Sequence, residues 1–192
     1  MEYICGPKWD RRLIYIDPKP HCAIIMSGGI DSFVLWNLLK EECDLDIYNI
    51  NRADGFDNYK RVEQLTGEKV NVLDEIVTSN QGTLKIDLSL KQLIETKDYD
   101  EIYTGINEGP PIDYFPEFDI PTRPQRKWYV DYSEHIVRTP FLRLYKFHIL
   151  DLARQERIDL SNTMSCIESI EKECGKCWQC MEKKWAYNEI NR

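Results

Sequence analysis

The sequence lacks any apolar run long enough to cross a membrane, so we do not expect the chain to be an integral membrane protein. Residues 1–7 have neither the basic start nor the apolar core of a signal peptide, and we therefore expect a cytoplasmic protein. An internal repeat, a low-complexity tract and a heptad pattern are also missing. What remains is the pattern of an ordinary globular chain.

Positive charge is also scarce. The 25 lysines and arginines are outnumbered by 33 aspartates and glutamates, and the formal net charge is −8. This balance disfavours a broad interface with a nucleic-acid backbone, although Arg123, Arg126 and Lys127 could form a local basic patch. We therefore do not expect direct nucleic-acid binding. The 192 residues, of which 42% are hydrophobic, suffice for one domain or for one domain with a small appended module.

Predicted strands and helices alternate along the middle of the chain. The predicted strands cover residues 22–26, 45–50, 69–73 and 100–104, and the predicted helices cover residues 31–42, 57–66, 84–97 and 143–156. Such alternation predicts a parallel sheet with helices on both faces. Ahead of it, the short apolar runs 2–5 and 13–16 predict a small edge hairpin.

Residues 27–32 read Ser-Gly-Gly-Ile-Asp-Ser between a predicted strand and a predicted helix. Gly28 and Gly29 allow several backbone N–H groups and the helix N-terminus to approach one phosphate. Ser27 and Ser32 can add hydroxyl donors, and Asp31 can hold the turn or a Mg²⁺ ion. The pattern is not a Walker loop, because no Gly-Lys-Ser/Thr follows the turn. It predicts a phosphate-binding loop, and the alternative is a glycine turn without a ligand.

Two other segments should converge on this loop. In doubly wound parallel sheets, ligands bind beyond the carboxyl ends of the strands, at a switch point in strand order. Residues 49–54, with Asn51, follow the second predicted strand, while Gly105 and Asn107 follow the fourth. The irregular, proline-rich residues 105–127 would form either a lid or wall of the site, or a packed surface excursion.

Four of the seven cysteines fall close together near the C-terminus. They are Cys166, Cys174, Cys177 and Cys180. Disulfides cannot pair all the cysteines of two overlapping Cys-x-x-Cys motifs at such short range, whereas one tetrahedral Zn²⁺ ion can bind all four thiolates. An iron–sulfur cluster and a redox dithiol are the alternatives. The isolated Cys5, Cys22 and Cys43 are interpreted as small core residues.

The Ser-Gly-Gly-x-Asp-Ser motif resembles that of the PP-loop ATP pyrophosphatases, which cleave ATP between its α- and β-phosphates. The C-terminal third extends the likeness with Thr139-Pro140, Lys146, Thr163-Met-Ser165-Cys166 and Cys174-Gly-Lys-Cys177-Trp-Gln-Cys180. From about residue 21 to residue 186 the chain resembles the 7-cyano-7-deazaguanine synthase family as a divergent member. The resemblance implies an α/β fold, with a doubly wound, Rossmann-like parallel sheet and a C-terminal zinc knuckle. It also implies an N-terminal extension (1–20), a PP-loop domain (21–160) and a zinc-binding module (161–192).

The resemblance further implies a chemistry and a set of roles. The family adenylates a deazapurine carboxylate with ATP, lets ammonia displace AMP to give an amide, and activates the amide again to give a nitrile. The catalytic residues would be Asp31 and Lys146. Asp31 would position Mg²⁺, and Lys146 would lie near the phosphates or the substrate carboxylate. The four clustered cysteines would bind structural zinc. The residues that would bind ATP are Ser27, Gly28, Gly29, Ile30, Asp31, Ser32, Asn51, Gly105 and Asn107.

Other segments depart from the family pattern. They are residues 51–53, 80–88 and 113–117, where the family carries substrate-handling motifs. The motifs that handle ATP are kept, so the resemblance predicts adenylation more strongly than it predicts the deazaguanine substrate. A related PP-loop enzyme that activates another base, a nucleotide or a polypeptide end, and a non-catalytic nucleotide-binding protein, remain alternatives. A homodimer is also left open.

Overall fold

The computed structural model describes residues 1–51, 58–74, 93–95, 98–114, 129–132, 135–169 and 171–192. Its strands are β1 (Glu2–Cys5), β2 (Arg12–Tyr15), β3 (His21–Ile25), β4 (Asp44–Asn51), β5 (Val70–Asp74), β6 (Glu101–Thr104), β7 (Tyr129–Tyr132) and β8 (His135–Arg138). Its helices are α1 (Ile30–Leu39), α2 (Tyr59–Thr66), α3 (Lys146–Gln155) and α4 (Trp178–Ile190), with a short 3₁₀ turn at Ile112–Tyr114. In this described part, no helix is both long and apolar enough to span a bilayer.

Within the described residues, six strands form the main sheet in the order β5-β4-β3-β6-β8-β7. All neighbouring pairs are parallel except β7 and β8, which are antiparallel at the edge. The chain moves outward from β3 to β4 and β5, and then returns to place β6 on the other side of β3. The strand order therefore reverses between β3 and β6, which confirms the predicted α/β fold and fixes the switch point.

Both faces of the sheet are buried, because alternate residues of a strand pack against opposite apolar clusters. In β3, Ile24 packs in one apolar cluster with Leu35 and Phe147, whereas its neighbour Ala23 packs in a second cluster with Ile102. This is the period-two alternation of a strand applied to a sheet that is covered on both sides.

The predicted elements of the central sheet are confirmed within one or two residues for β3, β4, β5, β6 and α2, and within about three for α1 and α3. Of the predicted helix 84–97, only residues 93–95 are described, and they are helical; the remainder lies outside the described residues. The strands β7 and β8 and the helix α4 were not predicted. The three-part division of the chain stays a prediction.

The N-terminal hairpin exists, but it is not an edge of the main sheet. Strands β1 and β2 form their own antiparallel pair, in which Tyr3 faces Ile14. The pair lies against α3, where Gly6 N donates to Asp151 Oδ2 at 2.8 Å and Gln155 Nε2 donates to Ile4 O at 3.0 Å. The hairpin therefore supports the helix that carries Lys146.

Candidate functional site

A cavity of about 430 Å³ lies at the switch point, beyond the carboxyl ends of β3, β4 and β6. The predicted site residues that line it are Ser27, Gly29, Asp31, Ser32, Gly105, Asn107 and Lys146, together with the cysteine ligand Cys166. The side chain of Ile30 instead packs in the core, so only its backbone is available to a ligand. Strand β4 ends at Asn51, whose side chain lies outside what the structure describes.

The loop between β3 and α1 has the conformation that its sequence predicts. Gly28 adopts φ +78°, which favours glycine, and Gly29 precedes α1 in an extended conformation. Within the loop, Ser27 N donates to Ser32 Oγ at 3.3 Å, and Ser32 Oγ donates to Gly29 O at 3.3 Å. A Cβ at Gly29 would lie 3.4 Å from Ser27 Oγ and 3.7 Å from Ser165 Oγ. The bare glycine therefore leaves a space flanked by hydroxyl groups at a helix N-terminus, which suits an anion.

Gly105 has a different structural role. It does not need a positive φ, but a Cβ there would lie 2.7 Å from Ser32 N and 2.9 Å from the carbonyl carbon of Asp31. The absence of a side chain at Gly105 is what allows the end of β6 to contact the first turn of α1. Both sides of the switch point can then border one cavity.

A buried polar network connects four separate segments beside the loop. Lys146 Nζ lies 2.6 Å from Asp31 Oδ2 and 3.1 Å from Glu182 Oε2, and Asn107 Nδ2 donates to Glu182 Oε1 at 3.0 Å. The side chains of Lys146 and Glu182 are only 3% and 1% exposed. Charges this deep are tolerated because each has an oppositely charged partner.

The pKa of Lys146 is raised above its ordinary value. Burial alone would lower this pKa, but the carboxylates of Asp31 and Glu182 outweigh it by attraction and hydrogen bonding. Lys146 is therefore a permanent cation rather than a proton acceptor. It can stabilise negative charge on a bound ligand.

Several buried polar atoms in residues that line this cavity have no hydrogen-bond partner among the described residues. They are Asp31 Oδ1, Asn49 Oδ1, Thr104 Oγ1, Ser165 Oγ and Gln179 Oε1. Buried polar groups of native proteins are nearly always paired, so a convergence of unpaired ones indicates a ligand that completes them. The Asp31 Oδ1 atom is a carboxylate oxygen of the kind that Mg²⁺ prefers, and it therefore fits a Mg²⁺ ion that accompanies a nucleotide.

Sequence reasoning missed Thr104, Gln179 and Glu182 as site residues, and it placed Asn49 and Ser165 only within a converging segment and a family motif. A signal was present for Asn49, because it precedes the predicted Asn51 by two residues and so lies on the same face of β4. Glu182 gave no such signal, since its partners Lys146 and Asn107 are distant in sequence.

The four clustered cysteines come together as predicted. Their Sγ atoms all lie within 4.8 Å of one another. Four thiolates at this spacing fit a tetrahedral Zn²⁺ ion, whose Zn–S bonds of about 2.3 Å place the sulfurs roughly 3.8 Å apart. Backbone N–H groups of Cys177 and Lys176 donate to Cys174 Sγ at 3.3 and 3.4 Å and lower the pKa of that thiol to about 6. These hydrogen bonds favour the thiolate form that a metal binds.

The cysteine cluster also builds one wall of the cavity. Cys166 belongs to the cysteine cluster and also lines the cavity. Its neighbour Ile167 lines the cavity too, as do Trp178 and Gln179 in the first turn of α4. By contrast, Tyr114 lies outside this cavity, where its ring is 5.5 Å from that of Trp185. The rest of the predicted lid, from residue 115 onward to 127, lies outside the described residues.

Comparison with known proteins gives one family match. The model of the family described as "Queuosine biosynthesis protein QueC" matches residues 80–191. The chain is 23% identical to the 7-cyano-7-deazaguanine synthase 2 of Colwellia psychrerythraea, over 88% of this chain and 94% of that protein. It is also 23% identical to the 7-cyano-7-deazaguanine synthase of Marinomonas sp., over 87% and 93%. Among solved structures, the phosphoadenylyl-sulfate reductase of Candida auris is 10% identical, with a TM-score of 0.47 over 73% of this chain and 75% of that one.

Proposed function

The chain belongs to the QueC family of queuosine biosynthesis proteins, and on that basis we propose that it is a carbon–nitrogen ligase that uses ATP. Its proposed reaction converts 7-carboxy-7-deazaguanine to 7-cyano-7-deazaguanine. Two relatives that align with most of the chain carry the name 7-cyano-7-deazaguanine synthase, which supports this choice of substrate.

The proposed reaction balances over two activations. The substrate carboxylate attacks the α-phosphorus of ATP, which forms an acyl adenylate and releases pyrophosphate. Ammonia then attacks the acyl carbon and displaces AMP, which gives the amide. A second ATP adenylates the amide oxygen with release of pyrophosphate, and loss of AMP and protons leaves the nitrile. The sum is one carboxylate, one ammonia and two ATP giving one nitrile, two AMP and two pyrophosphate, and the two carboxylate oxygens leave in the two AMP molecules.

The residues of the cavity divide this work. The amides and hydroxyls of the loop at residues 27–32 would bind the phosphates, where negative charge develops as pyrophosphate leaves. Asp31 Oδ1 would hold a Mg²⁺ ion, which supplies charge neutralisation to the phosphates when bound. Lys146, kept protonated by its two carboxylate partners, would stabilise the adenylated intermediate. The four cysteines would hold a structural zinc ion with no open position.

One observation carries the proposal. At the switch point, the hydroxyl-flanked space at the N-terminus of α1 borders the cavity, and five unpaired buried polar atoms belong to residues that line the same cavity. A glycine turn without a ligand would leave these atoms without explanation, since each unpaired group costs about 1–3 kcal/mol.

The test is product analysis with a panel of acceptors. Purified protein is incubated with Mg²⁺, ATP, ammonium and 7-carboxy-7-deazaguanine, and nucleotides and deazapurines are separated by liquid chromatography with mass detection. We expect AMP, pyrophosphate and the nitrile, and loss of all three in Asp31→Asn. ADP as the nucleotide product would refute the mechanism. AMP with another carboxylate but none with the deazaguanine would move the proposal to a different acceptor, which the departures at residues 80–88 and 113–117 favour.

A further inference from the structure

Glu182 is a buried carboxylate whose two oxygens are both engaged by protein donors. Oε1 accepts a hydrogen bond from Asn107 Nδ2, and Oε2 lies 3.1 Å from Lys146 Nζ. Glu182 borders the cavity, and each of its two oxygens already has one protein partner. Glu182 can therefore act on the reaction through these partners.

The partner that matters is Lys146, because it in turn holds Asp31. The Lys146 ammonium lies 2.6 Å from Asp31 Oδ2, whereas Asp31 Oδ1 is buried without a partner among the described residues, in a residue that lines the cavity. An ammonium fixed on one oxygen leaves the other available. The direction of the ammonium therefore decides which part of the Asp31 carboxylate a cation can reach.

Two carboxylates on different helices fix that direction. Lys146 is the first residue of α3, Asp31 lies in the first turn of α1, and Glu182 lies on α4. If Glu182 lost its charge, only Asp31 would attract the ammonium. The ammonium could then bridge both Asp31 oxygens or turn into the cavity, and either change would displace a cation from Asp31.

We propose that Glu182 is a positioning residue, which holds Lys146 on one oxygen of Asp31 and so presents the other oxygen to the cation of the nucleotide. This inference rests on the proposed function, in which Asp31 binds that cation. It also gives the cysteine cluster a role in the nucleotide site. Cys177 caps α4 and Cys180 lies in its first helical turns, so the cluster sets where α4 begins and where Glu182 lies.

The experiment compares Glu182→Gln with a matched variant on the same helix. Glu189→Gln removes a carboxylate that is also buried, at 5% exposure, but that pairs with Arg192 and lies outside the cavity. ATP binding is measured by titration calorimetry over a series of Mg²⁺ concentrations, and zinc content is measured in every protein. We expect Glu182→Gln to need about 10-fold or more extra Mg²⁺ for half-maximal ATP binding, as for other partners that orient a metal ligand. Glu189→Gln should keep the wild-type dependence.

Further outcomes separate this inference from the proposed function. Wild-type and Glu182→Gln proteins with the same Mg²⁺ dependence would overturn the positioning role and leave the proposed function standing. A wild-type protein that binds no ATP at any Mg²⁺ concentration would overturn both. If Glu182→Gln fails to fold, Glu182→Asp is used in its place, because it keeps the charge and shortens the side chain by one methylene. A shifted Mg²⁺ dependence in Glu182→Asp supports the role, and an unshifted one refutes it.

Discussion

Gly105→Ala should destabilise the protein and impair its nucleotide site through a single added methyl group. The new Cβ would lie 2.7–2.9 Å from Ser32 N, Ser32 Cα and the carbonyl carbon of Asp31. Ordinary contacts between such atoms need about 3.5–4.0 Å, so the end of β6 and the start of α1 must separate by roughly 0.6–1.3 Å. Both are backbone segments, and neither can move aside as a flexible side chain can.

The expected magnitude follows from this overlap. Overpacking of a buried contact costs about 1–3 kcal/mol, which for a chain of this size corresponds to a fall in Tm of roughly 2–12 °C. Because the displaced turn carries Asp31 and Ser32, turnover should also fall by about 10²-fold, the usual cost of misplacing catalytic groups by 1 Å. Thermal unfolding and AMP release measure the two effects.

Gly67→Ala is the matched control for loss of a glycine. Gly67 has φ +72° and no atom within 4 Å of an added Cβ, so this variant carries backbone strain without steric overlap. It should lose about 1–2 kcal/mol of stability and keep its turnover. The reasoning fails if Gly105→Ala releases AMP at the wild-type rate, because the close approach of the two segments would then have no bearing on the site.

Three further predictions test other parts of the molecule. Gly29 has an ordinary φ of −81°, and an added Cβ would have its nearest contact at 3.4 Å, so Gly29→Ala should keep the wild-type Tm. The methyl group would fill the phosphate space, and ATP should therefore bind about 10-fold or more weakly. Calorimetry that shows an unchanged affinity would refute this. Cys177→Ser should lose the single zinc ion per chain, as measured by elemental analysis. It should also unfold at a lower temperature, because structural zinc contributes roughly 10–16 kcal/mol in small modules. Stoichiometric iron in the wild-type protein would contradict the assignment of zinc. Burial, followed by the charge of Arg12, lowers the pKa of His148 below its usual 6.5, so its contribution to stability is complete above that pH and is lost as the pH falls through the folded-state pKa. Urea unfolding of His148→Gln should therefore show a shallower loss between neutral and acidic pH than the wild type, and parallel curves would be the contrary result.

The central sheet could be predicted because its signals are local. The segments that form β3 through β6 are short and are bounded mainly by polar residues or by glycine in the sequence. The phosphate-binding loop and the cysteine cluster were visible for the same reason, since their residues are neighbours in sequence. The N-terminal hairpin was predicted from its apolar runs, but its separation from the main sheet depends on contacts with α3 that its own sequence does not contain.

Helix α4 escaped prediction because two of its buried positions are charged. Its buried residues include Glu182 and Glu189, which interrupt the apolar period by which an amphipathic helix is recognised. Strands β7 and β8, which have four residues each, were also missed. The polar network fails prediction for another reason, because Asp31 and Glu182 are brought to Lys146 only by the tertiary fold.

The trio of Asp31, Lys146 and Glu182 should not by itself steer a nucleotide toward the cavity. Two carboxylates and one ammonium leave the trio with an excess of negative charge, in a chain whose formal net charge is −8. A nucleoside triphosphate, even with its Mg²⁺ ion, remains an anion, so long-range electrostatics oppose its approach. Salt screens charges over about 10 Å at 0.1 M and should weaken this repulsion. Capture of the nucleotide should therefore become faster as ionic strength rises, the reverse of an enzyme that attracts its substrate with a basic surface.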